Sequence, residues 1–518
     1  MNMKGVGDFT TIVLIFVFVF LLLALIKIFH NLWWVPTRFQ KFLSLQGVNG
    51  PPYKFIQGNT KEILTMMKAA KAKPISELSN FIFPKLQPNI HYWANLYGKV
   101  YLQWYGTRAL LVILEPELVK EILINKEGAY IKQNWSLYVK KILGDGLAMS
   151  QGEKWTKMRK LANFAFHGES LKGMTPAMIA SVETMLEKWN CDEGKEIEVY
   201  EEFRLLTAEV ISRTAFGSSY KEGSAIFEML AKLSLLASRN MLTVRLPGIS
   251  KIFKTKDERE AEKLEKTIHQ SIVELIKKRE DKVMNKDADN YGNDFLGLLV
   301  KANHDDNISQ RISIDDVVDE CKTFYFAGQE TTNSWLAWTI LLLSIHTEWQ
   351  EEARKEVFTI FGKQNPNLDG IPKLKILNQI IHESLRLYPS LTSLARKTRK
   401  EVRLGHLNLP ANAIILISIL SLHHDPEIWG HDSHLFKPER FSQGVAKATK
   451  DNMAAFLPFG IGPRSCVGIN FAINEAKIVL TMILQRYSFT LSPTYVHSPL
   501  SIITNRPQYG VQVMLQLI

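Results

Sequence analysis

Cysteine is scarce in this chain, with only Cys191, Cys321 and Cys466 among 518 residues. Three widely spaced cysteines do not make a disulfide framework, so we expect the folded part to face a reducing compartment. None of them belongs to a CxxC pair, which argues against a structural zinc site because such a site needs four ligands. We therefore expect each cysteine to be a single thiol.

Other patterns are absent as well. The chain has no GxGxxG fingerprint of a dinucleotide-binding fold, no internal repeat and no low-complexity tract. Its net charge is +11, but no block of Lys and Arg interleaved with aromatic residues occurs, so nucleic-acid binding is disfavoured. A basic surface without such blocks suits an anionic membrane leaflet or an acidic protein partner.

One long apolar run is present, and no second run of comparable length and purity follows it. Phe9–Ile26 carries no charge and is long enough to span a bilayer, with Trp33 and Trp34 placed as an interfacial belt. A cleaved signal peptide is the alternative, but no A-x-A-like cleavage site follows the run. We therefore predict an uncleaved membrane anchor.

The flanking charges predict how the anchor is oriented. Lys27, Arg38 and Lys41 follow the span, so the positive-inside rule leaves the body of the protein in the cytosol. The prolines and glycines after the span predict a stiff turn. We expect the chain to divide into a membrane anchor (1–30), a linker with a proline hinge (31–51) and a folded part (52–518).

The periodicity of the folded part predicts mostly helix with a small β-rich part. Residues 97–115 predict two short strands around a turn. Ser313 is placed as the N-cap of a long helix that ends at about Ile345. Further helices are expected over most of 174–236, over 254–282 and over 374–387.

The stretch Phe459–Gly468 surrounds Cys466 with glycines and a positive charge, Arg464. Its glycines allow a tight turn that could point several N–H groups at the sulfur. Such hydrogen bonds, the nearby charge and the start of the apolar helix that follows all favour a thiolate. A single thiolate suits the axial position of a haem iron. A buried free cysteine beside a Gly/Pro loop is the structural alternative.

Two helical segments carry further candidate groups. Trp155 and Arg159 lie four residues apart, so on a helix both face one side and can donate to a carboxylate. A solvent-facing arginine is the alternative. The segment Ala327–Thr332 has small residues that would leave room for a flat macrocycle, and its Glu330 and Thr331 could relay protons. The alternative is a buried helix whose threonine hydroxyls bond back to the preceding turn.

Glu383 and Arg386 lie at positions i and i+3 of a predicted helix and therefore face together. If exposed, such a pair would add little to stability. The histidines of His423–Gly430 suggest a metal site. No further ligand lies at a suitable spacing, so a capped turn is the favoured interpretation.

These motifs follow one another in an order that resembles the cytochrome P450 family. The resemblance covers essentially the whole chain, and the long-helix and cysteine segments are similar to the plant microsomal clan that includes secologanin synthase and the cytokinin and gibberellin oxidases. It implies a cytochrome P450 fold, mostly α with a small β-rich part, preceded by one N-terminal transmembrane helix. Residues 52–518 would be the haem-thiolate catalytic domain, with haem b as cofactor.

The resemblance also implies roles for single residues. Glu330 would be the acid beside Thr331, the oxygen-activating alcohol. Glu383 and Arg386 would be joined by Arg440 of the P-E-R-F segment in a buried trio that positions the cysteine loop. The implied haem site consists of Cys466 as axial iron ligand, Phe459, and Trp155, Arg159, Arg396 and Arg464 for the propionates.

A substrate pocket is implied by position in the family. Its expected walls are Ala129–Leu143, Leu235–Ile252, Phe324 with Tyr325, Ser390–Leu394 and Ser501–Ile503. Family members often have a second proline where this chain has Ser390, so the local pocket shape departs from theirs. An apolar or aromatic lining fits a terpenoid, hormone-like or fatty substrate.

The implied activity is that of a monooxygenase, which inserts one atom of O2 into an apolar small molecule. Electrons would come from NADPH through a separate NADPH–cytochrome P450 reductase, with cytochrome b5 as a further donor. The missing dinucleotide fingerprint supports an external donor, which would dock on the basic face near Cys466. We expect a single-pass protein of the endoplasmic reticulum membrane with its catalytic domain in the cytosol.

Two other haem functions are the alternatives. A haem-thiolate isomerase or dehydratase needs no O2 and can dispense with the acid–alcohol pair, whereas Glu330 and Thr331 are both present. A non-catalytic haem sensor or carrier would need neither a proton relay nor an entry route for a large substrate.

Overall fold

The computed structural model describes residues 3–75, 78–133, 137–190, 194–240 and 254–518, with side chains from residue 11 onward. Cys191 lies outside these ranges. The helices are α1 (Met3–Phe29), α2 (Val35–Ser44), α3 (Thr60–Ala72), α4 (Phe83–Leu86), α5 (Pro88–Tyr97), α6 (Pro116–Ile124), α7 (Leu137–Leu143), α8 (Gly152–Ala165), α9 (Gly168–Asn190), α10 (Val199–Phe216), α11 (Tyr220–Asn240), α12 (Lys256–Met284), α13 (Phe295–Asn303), α14 (Ile314–Ile345), α15 (Thr347–Phe361), α16 (Lys375–Leu387), α17 (Ile419–His424), α18 (Pro426–Trp429), α19 (Gly444–Ala448) and α20 (Ile469–Leu484).

The strands form small sheets beside the helices. They are β1 (Val100–Tyr105), β2 (Arg108–Ile113), β3 (Tyr130–Lys132), β4 (Glu196–Glu198), β5 (Ser393–Thr398), β6 (Val402–Leu404), β7 (Leu407–Leu409), β8 (Ile414–Ser418), β9 (Tyr487–Leu491), β10 (Pro499–Ser501), β11 (Asn505–Pro507) and β12 (Gln512–Leu517). The largest sheet has the order β1-β2-β8-β5-β3, and β4, β12 and β9 form a second sheet. The prediction of a mostly helical fold with a small β-rich part is confirmed.

Helix α14 is the axis of the helical core. It begins with a capping box, in which Ser313 Oγ accepts the Asp316 N–H at 3.1 Å and the Asp316 carboxylate accepts the Ser313 N–H at 2.9 Å. Such reciprocal caps satisfy donors that a helix start leaves unpaired. The predicted extent of this helix is confirmed, as are β1 with β2 over 97–115, α12 over 254–282 and α16 over 374–387.

The N-terminal helix is apolar over nearly its whole length. Among the described residues, a single helical stretch, Thr11–Ser44, is long and apolar enough to cross a membrane. Large side chains such as Phe16 and Phe20 are about seven-tenths exposed on it, at 72% and 70%. So much exposed apolar surface is unfavourable in water and favourable in lipid, which fits the predicted anchor.

The segment 31–51, for which the sequence predicts a linker and hinge, packs against the folded part. Tyr53 Oη donates to the Leu32 carbonyl at 2.5 Å, and the Trp33 and Tyr53 rings lie 6.1 Å apart. Leu43 is fully buried. A Cβ on Gly50 would lie 1.9 Å from the Leu102 carbonyl oxygen of β1, so only glycine allows this approach.

A buried ion pair joins α16 to the chain that leads toward the cysteine loop. Glu383 and Arg386 are both 0% exposed and form two parallel hydrogen bonds of 2.7 Å. Arg440 approaches the same carboxylate at 3.6 Å, too far for a hydrogen bond. The structure thus brings the predicted trio together, with Arg440 as its outer member.

The same arginine also holds loop backbone. Arg386 Nη1 donates to the carbonyls of His423 and Ser433 at 2.8 and 2.7 Å. Burial lowers the pKa of His423 to about 3, and its Nε2 accepts the Leu457 N–H at 2.8 Å. The predicted capped turn is confirmed, since the Asp425 carboxylate accepts the Glu427 N–H at 2.9 Å.

Replacing Glu383 by Gln should destabilise the protein strongly, because it leaves the Arg386 charge buried and unpaired. We expect the free energy of unfolding to fall by about 3–5 kcal/mol. Denaturant unfolding of the full chain in detergent, followed by tryptophan fluorescence, measures this change.

The matched control is Glu427→Gln, because Glu427 pairs with Lys99 at 2.5 Å while 77% exposed. That variant should lose less than about 1 kcal/mol. Equal losses in the two variants would mean that the buried pair contributes no more than a surface pair.

Candidate haem site

The cysteine loop is fixed against α6 and closes on itself. The Cys466 N–H donates to the Phe459 carbonyl at 2.8 Å. Gly462 has a φ of +74°, and a Cβ there would lie 2.2 Å from the Leu123 carbonyl oxygen at the end of α6. Both the backbone conformation and the close approach therefore require glycine at this position.

The environment of the sulfur differs from the prediction. Burial raises the pKa of the Cys466 thiol, and only the Gly468 N–H and the positive charge of Arg159 oppose this effect. The Arg464 guanidinium is engaged elsewhere: its Nη1 donates to the Ser150 carbonyl at 2.9 Å, and it lies 4.2 Å from the Trp155 ring centroid. The loop alone does not favour a thiolate; a cation bound to the sulfur would supply the missing charge.

The Cys466 side chain is nevertheless accessible. It is exposed by surface area, although protein atoms surround it densely enough for burial to dominate its pKa. The two observations agree if the sulfur faces an enclosed space rather than bulk solvent. That is the position expected of a ligand residue and differs from a free cysteine packed in a core, such as Cys321.

Cationic side chains gather beside this loop. Arg159 Nη1 donates to the Ser465 carbonyl at 2.5 Å, and its Nε donates to Asn163 Oδ1 at 3.0 Å. Arg396 is 7% exposed and donates to the Ala395 carbonyl at 2.9 Å. No Asp or Glu among the described residues forms an ion pair with Arg159, Arg396 or Arg464. Their partners are neutral, so their charges remain available to an anion.

Lys132 belongs to the same cluster and was not predicted. It lies directly opposite Arg396 in the pairing of β3 with β5. Burial, Arg396 and Arg464 together lower the pKa of Lys132 to about 8, and burial with Arg396 and Arg159 lowers that of Arg464 to about 10. Mutual repulsion of this kind is relieved by a bound anion.

A short segment of the otherwise buried helix α14 is accessible next to the cysteine loop. Between Glu320 and Ser344 every residue is buried except Ala327, Gly328, Glu330 and Thr331. Thr331 Oγ1 donates to the Ala327 carbonyl at 2.7 Å. One helical turn further, Trp335 contacts Phe459 with ring centroids 6.1 Å apart, so the accessible part of α14 adjoins the cysteine loop.

The glycine of this segment has another reason than the predicted one. A Cβ on Gly328 would lie 2.7 Å from the Ile211 side chain of α10. Gly328 therefore permits close packing of α14 on α10. This packing explains the glycine in the helix interior, and space for a macrocycle is not needed to account for it. Of the two small residues in this segment, Ala327 is exposed and Gly328 is half-buried.

Two predicted pocket walls belong to the core instead. Phe324 stacks on Phe166 with centroids 5.2 Å apart, and Tyr325 stacks on Phe216 at 3.9 Å. Both residues are buried. Of the other predicted walls, residues 134–136 and 241–252 lie outside the described residues.

These groups fit a haem. The donor set combines an accessible sulfur, a cluster of cations that lack carboxylate partners, and an accessible stretch of helix with an acid and an alcohol. A haem carries an iron that accepts a thiolate, two propionates and a flat apolar ring. The iron would be held by Cys466, and the propionates by Lys132, Trp155, Arg159, Arg396 and Arg464.

Comparison with known proteins agrees with this arrangement. The family model described as Cytochrome P450 matches residues 77–512. The chain is 56% identical to cytochrome P450 CYP749A22 of Panax ginseng over 99% of both chains. It is 42% identical to CYP72A616 of Paris polyphylla, covering 93% of this chain and 94% of the relative. It is also 42% identical to the 11-oxo-beta-amyrin 30-oxidase of Glycyrrhiza uralensis, covering 94% of each.

The match covers more than half of the chain, and it includes the cysteine loop, the accessible segment of α14 and the buried trio. The first two relatives carry cytochrome P450 names, and all three are aligned with this chain over nearly their whole length. The chain therefore belongs to the cytochrome P450 family of haem-dependent monooxygenases.

Proposed function

We propose that this monooxygenase is a membrane-anchored enzyme that oxidises an apolar terpenoid, hormone-like or fatty molecule with electrons that a reductase takes from NADPH. The observation that carries the proposal is the accessible Cys466 sulfur beside the accessible Glu330 and Thr331 of α14. A sensor or carrier would need no such acid–alcohol pair, and an isomerase or dehydratase can lack it.

The reaction balances as substrate C–H plus O2, two electrons and two protons giving an alcohol and water. When bound, haem iron with a thiolate ligand supplies O2 binding and O–O cleavage. The chain must supply the protons at the right place. Glu330 holds and releases them, and the Thr331 hydroxyl, which now donates to Ala327, can turn to donate toward the oxygen.

The substrate class rests on the relatives and on the membrane anchor. One relative is named as an oxidase of 11-oxo-beta-amyrin, and an apolar substrate would be concentrated in the lipid that α1 enters. Substrate-induced changes in the absorption spectrum of the purified enzyme would identify molecules that bind next to the iron. Stimulation of NADPH and O2 consumption would show which of them are turned over.

The electron donor would approach along α8. Arg159 of this helix contacts the cysteine loop, and the neighbouring Lys160 is exposed. An acidic reductase surface would be attracted to such a position. We place the enzyme in the endoplasmic reticulum membrane with its catalytic domain in the cytosol, where the reductase and cytochrome b5 would reach this side.

Replacing Cys466 by Ser should abolish the carbon-monoxide absorption band that is typical of thiolate ligation, because a serine oxygen is a poor substitute for the sulfur. Reduced difference spectra of the purified protein measure the band. Cys321→Ala is the control, because Cys321 is a buried thiol away from the site, and it should keep the band. A Cys466→Ser protein with the full band would show that another residue binds the iron.

Replacing Thr331 by Ala should leave NADPH oxidation in place while the product formed per NADPH falls at least about tenfold, as expected for loss of a positioned proton donor. Peroxide release should rise correspondingly. The control is Thr332→Ala, which alters the next hydroxyl on the buried side of α14. Unchanged coupling in Thr331→Ala would remove this hydroxyl from the mechanism.

Reversing the charge of Lys160 with Lys160→Glu should slow the first electron transfer from the reductase and weaken its dependence on salt, because screening acts over about 10 Å at 0.1 M ionic strength. Stopped-flow reduction measures both effects. Lys278→Glu, an exposed change on α12, is the control. A wild-type rate that does not differ between low and high salt would contradict docking by charge.

A further inference from the structure

The carboxylate of Glu330 is held from outside its own helix. Thr504, which precedes β11, donates its hydroxyl to Glu330 Oε1 at 2.8 Å. Arg506 of β11 places a guanidinium nitrogen 4.0 Å from the same oxygen. Both residues come from the C-terminal hairpin of β10 and β11, in which Leu500 pairs with Arg506.

This hairpin is tied to α14 by hydrogen bonds that fix its distance. Trp338 Nε1 donates to the Asn505 carbonyl at 3.1 Å. The Ser390 carbonyl accepts the Asn505 N–H at 2.9 Å, and the Ser390 hydroxyl donates to the Thr331 carbonyl at 2.9 Å. Ser390 thus connects the turn of the acid–alcohol pair to the strand next to the residue that holds Glu330.

Two buried hydroxyls whose hydrogen bonding is not fully satisfied by the described residues lie beside this carboxylate. The Tyr200 hydroxyl of α10 faces Ser334 and Arg506, but it forms no well-aligned hydrogen bond with either. The Ser334 hydroxyl, one turn after Glu330, lies near Tyr200 and is likewise buried without a partner in good hydrogen-bonding geometry among the described residues. Buried hydroxyls are normally satisfied, and where protein does not satisfy them an internal water does.

Charge links these groups to Glu330. Burial and the negative charge of Glu330 raise the pKa of Tyr200, and Arg506 opposes this effect. Tyr200 therefore remains a neutral hydroxyl that can both donate and accept. The Arg506 side chain is 25% exposed, whereas Ser334 is fully buried. The polar side chains beside Glu330 therefore extend from the partly exposed Arg506 guanidinium to Ser334 on the buried side of α14.

We propose that Thr504 and Arg506 are positioning residues for Glu330, and that water held by Tyr200 and Ser334 resupplies its protons from the solvent beside Arg506. The inference rests on the proposed role of Glu330 in the proposed function. Each proton that Glu330 releases is replaced by one from this water, which in turn takes one from solvent. No electrons or other bonds are involved.

A purely structural contact would give different results. An ion pair at 4.0 Å with a partly exposed arginine adds little to stability. If the contacts were only structural, removing the buried Thr504 hydroxyl would lower the unfolding temperature and leave the product formed per NADPH unchanged. Three measurements on the same variants distinguish the two interpretations: the product formed per NADPH, the unfolding temperature and the infrared band of the Glu330 carboxylate.

The test compares Thr504→Val, Thr504→Ser, Tyr200→Phe and Glu330→Gln in the full-length haem-loaded enzyme. We expect product per NADPH to fall several-fold in Thr504→Val and Tyr200→Phe, and Thr504→Ser to restore it because the serine keeps the donor. Turnover supported by an organic hydroperoxide, which bypasses O2 activation, should be retained. Thr490→Val, an exposed threonine of β9, is the control and should behave as wild type.

Infrared spectroscopy supplies a readout that does not depend on turnover. The carboxylate band of Glu330, assigned by its loss in Glu330→Gln, should shift in Thr504→Val and return in Thr504→Ser. An unshifted band would overturn the proposal. So would equal losses of NADPH-driven and hydroperoxide-driven turnover, since they indicate a disturbed pocket.

The remaining outcomes distinguish this inference from the proposed function. If Glu330→Gln uncouples turnover while Thr504→Val and Tyr200→Phe remain coupled, the hairpin and the water are not involved and the role of Glu330 stands. If Glu330→Gln is itself fully coupled, the relay role in the proposed function fails, and the present inference fails with it.

Discussion

The bidentate pair of Glu383 and Arg386 is the interaction on which the haem side of the fold depends. Both groups are withdrawn from water, so neither charge is tolerable without the other. The remaining donors of the arginine then fix backbone carbonyls outside α16. Through His423, whose ring accepts the Leu457 N–H, this constraint reaches the segment that leads into the cysteine loop. A fixed loop is in turn needed for a sulfur that must stay aligned with an iron.

The opposite arrangement of charge prevails where the haem would bind. There the described residues bring cations together without an Asp or Glu that pairs with Arg159, Arg396 or Arg464. Burial and the nearby charges of Arg396 and Arg464 lower the pKa of Lys132 to about 8. Ion pairs within the chain stabilise the folded protein, whereas the cations that have no acidic partner would stabilise the complex with an anionic ligand. The same distinction holds for Cys466, whose pKa is raised in the protein alone. The site is thus electrostatically incomplete in a manner that matches an anionic group with a central cation.

Local patterns in the sequence predict much of this architecture, and contacts between distant segments account for what they miss. The cap at Ser313, the pairing of Glu383 with Arg386 and the loop around Cys466 depend on neighbours in the chain, so spacing alone indicates them. Lys132 enters the site only because β3 pairs with β5. Gly328 faces Ile211 of another helix, and Arg464 turns toward Trp155, which no local rule specifies. The packed segment before Tyr53 likewise depends on contact with β1, which lies about fifty residues further along the chain.

That packed segment has a practical meaning for work with the enzyme in solution. A chain that began at residue 52 would lose Leu43 and Val48 from the smaller apolar core and would uncover the edge of β1 against which Gly50 lies. Removal of α1 alone would take away a helix whose large apolar side chains are mostly exposed. The contact of Tyr53 with Leu32, a residue that follows α1 almost directly, joins the folded part to the apolar helix without a loose linker. In a membrane that α1 spanned, the orientation of the folded part would therefore be coupled to that of the helix.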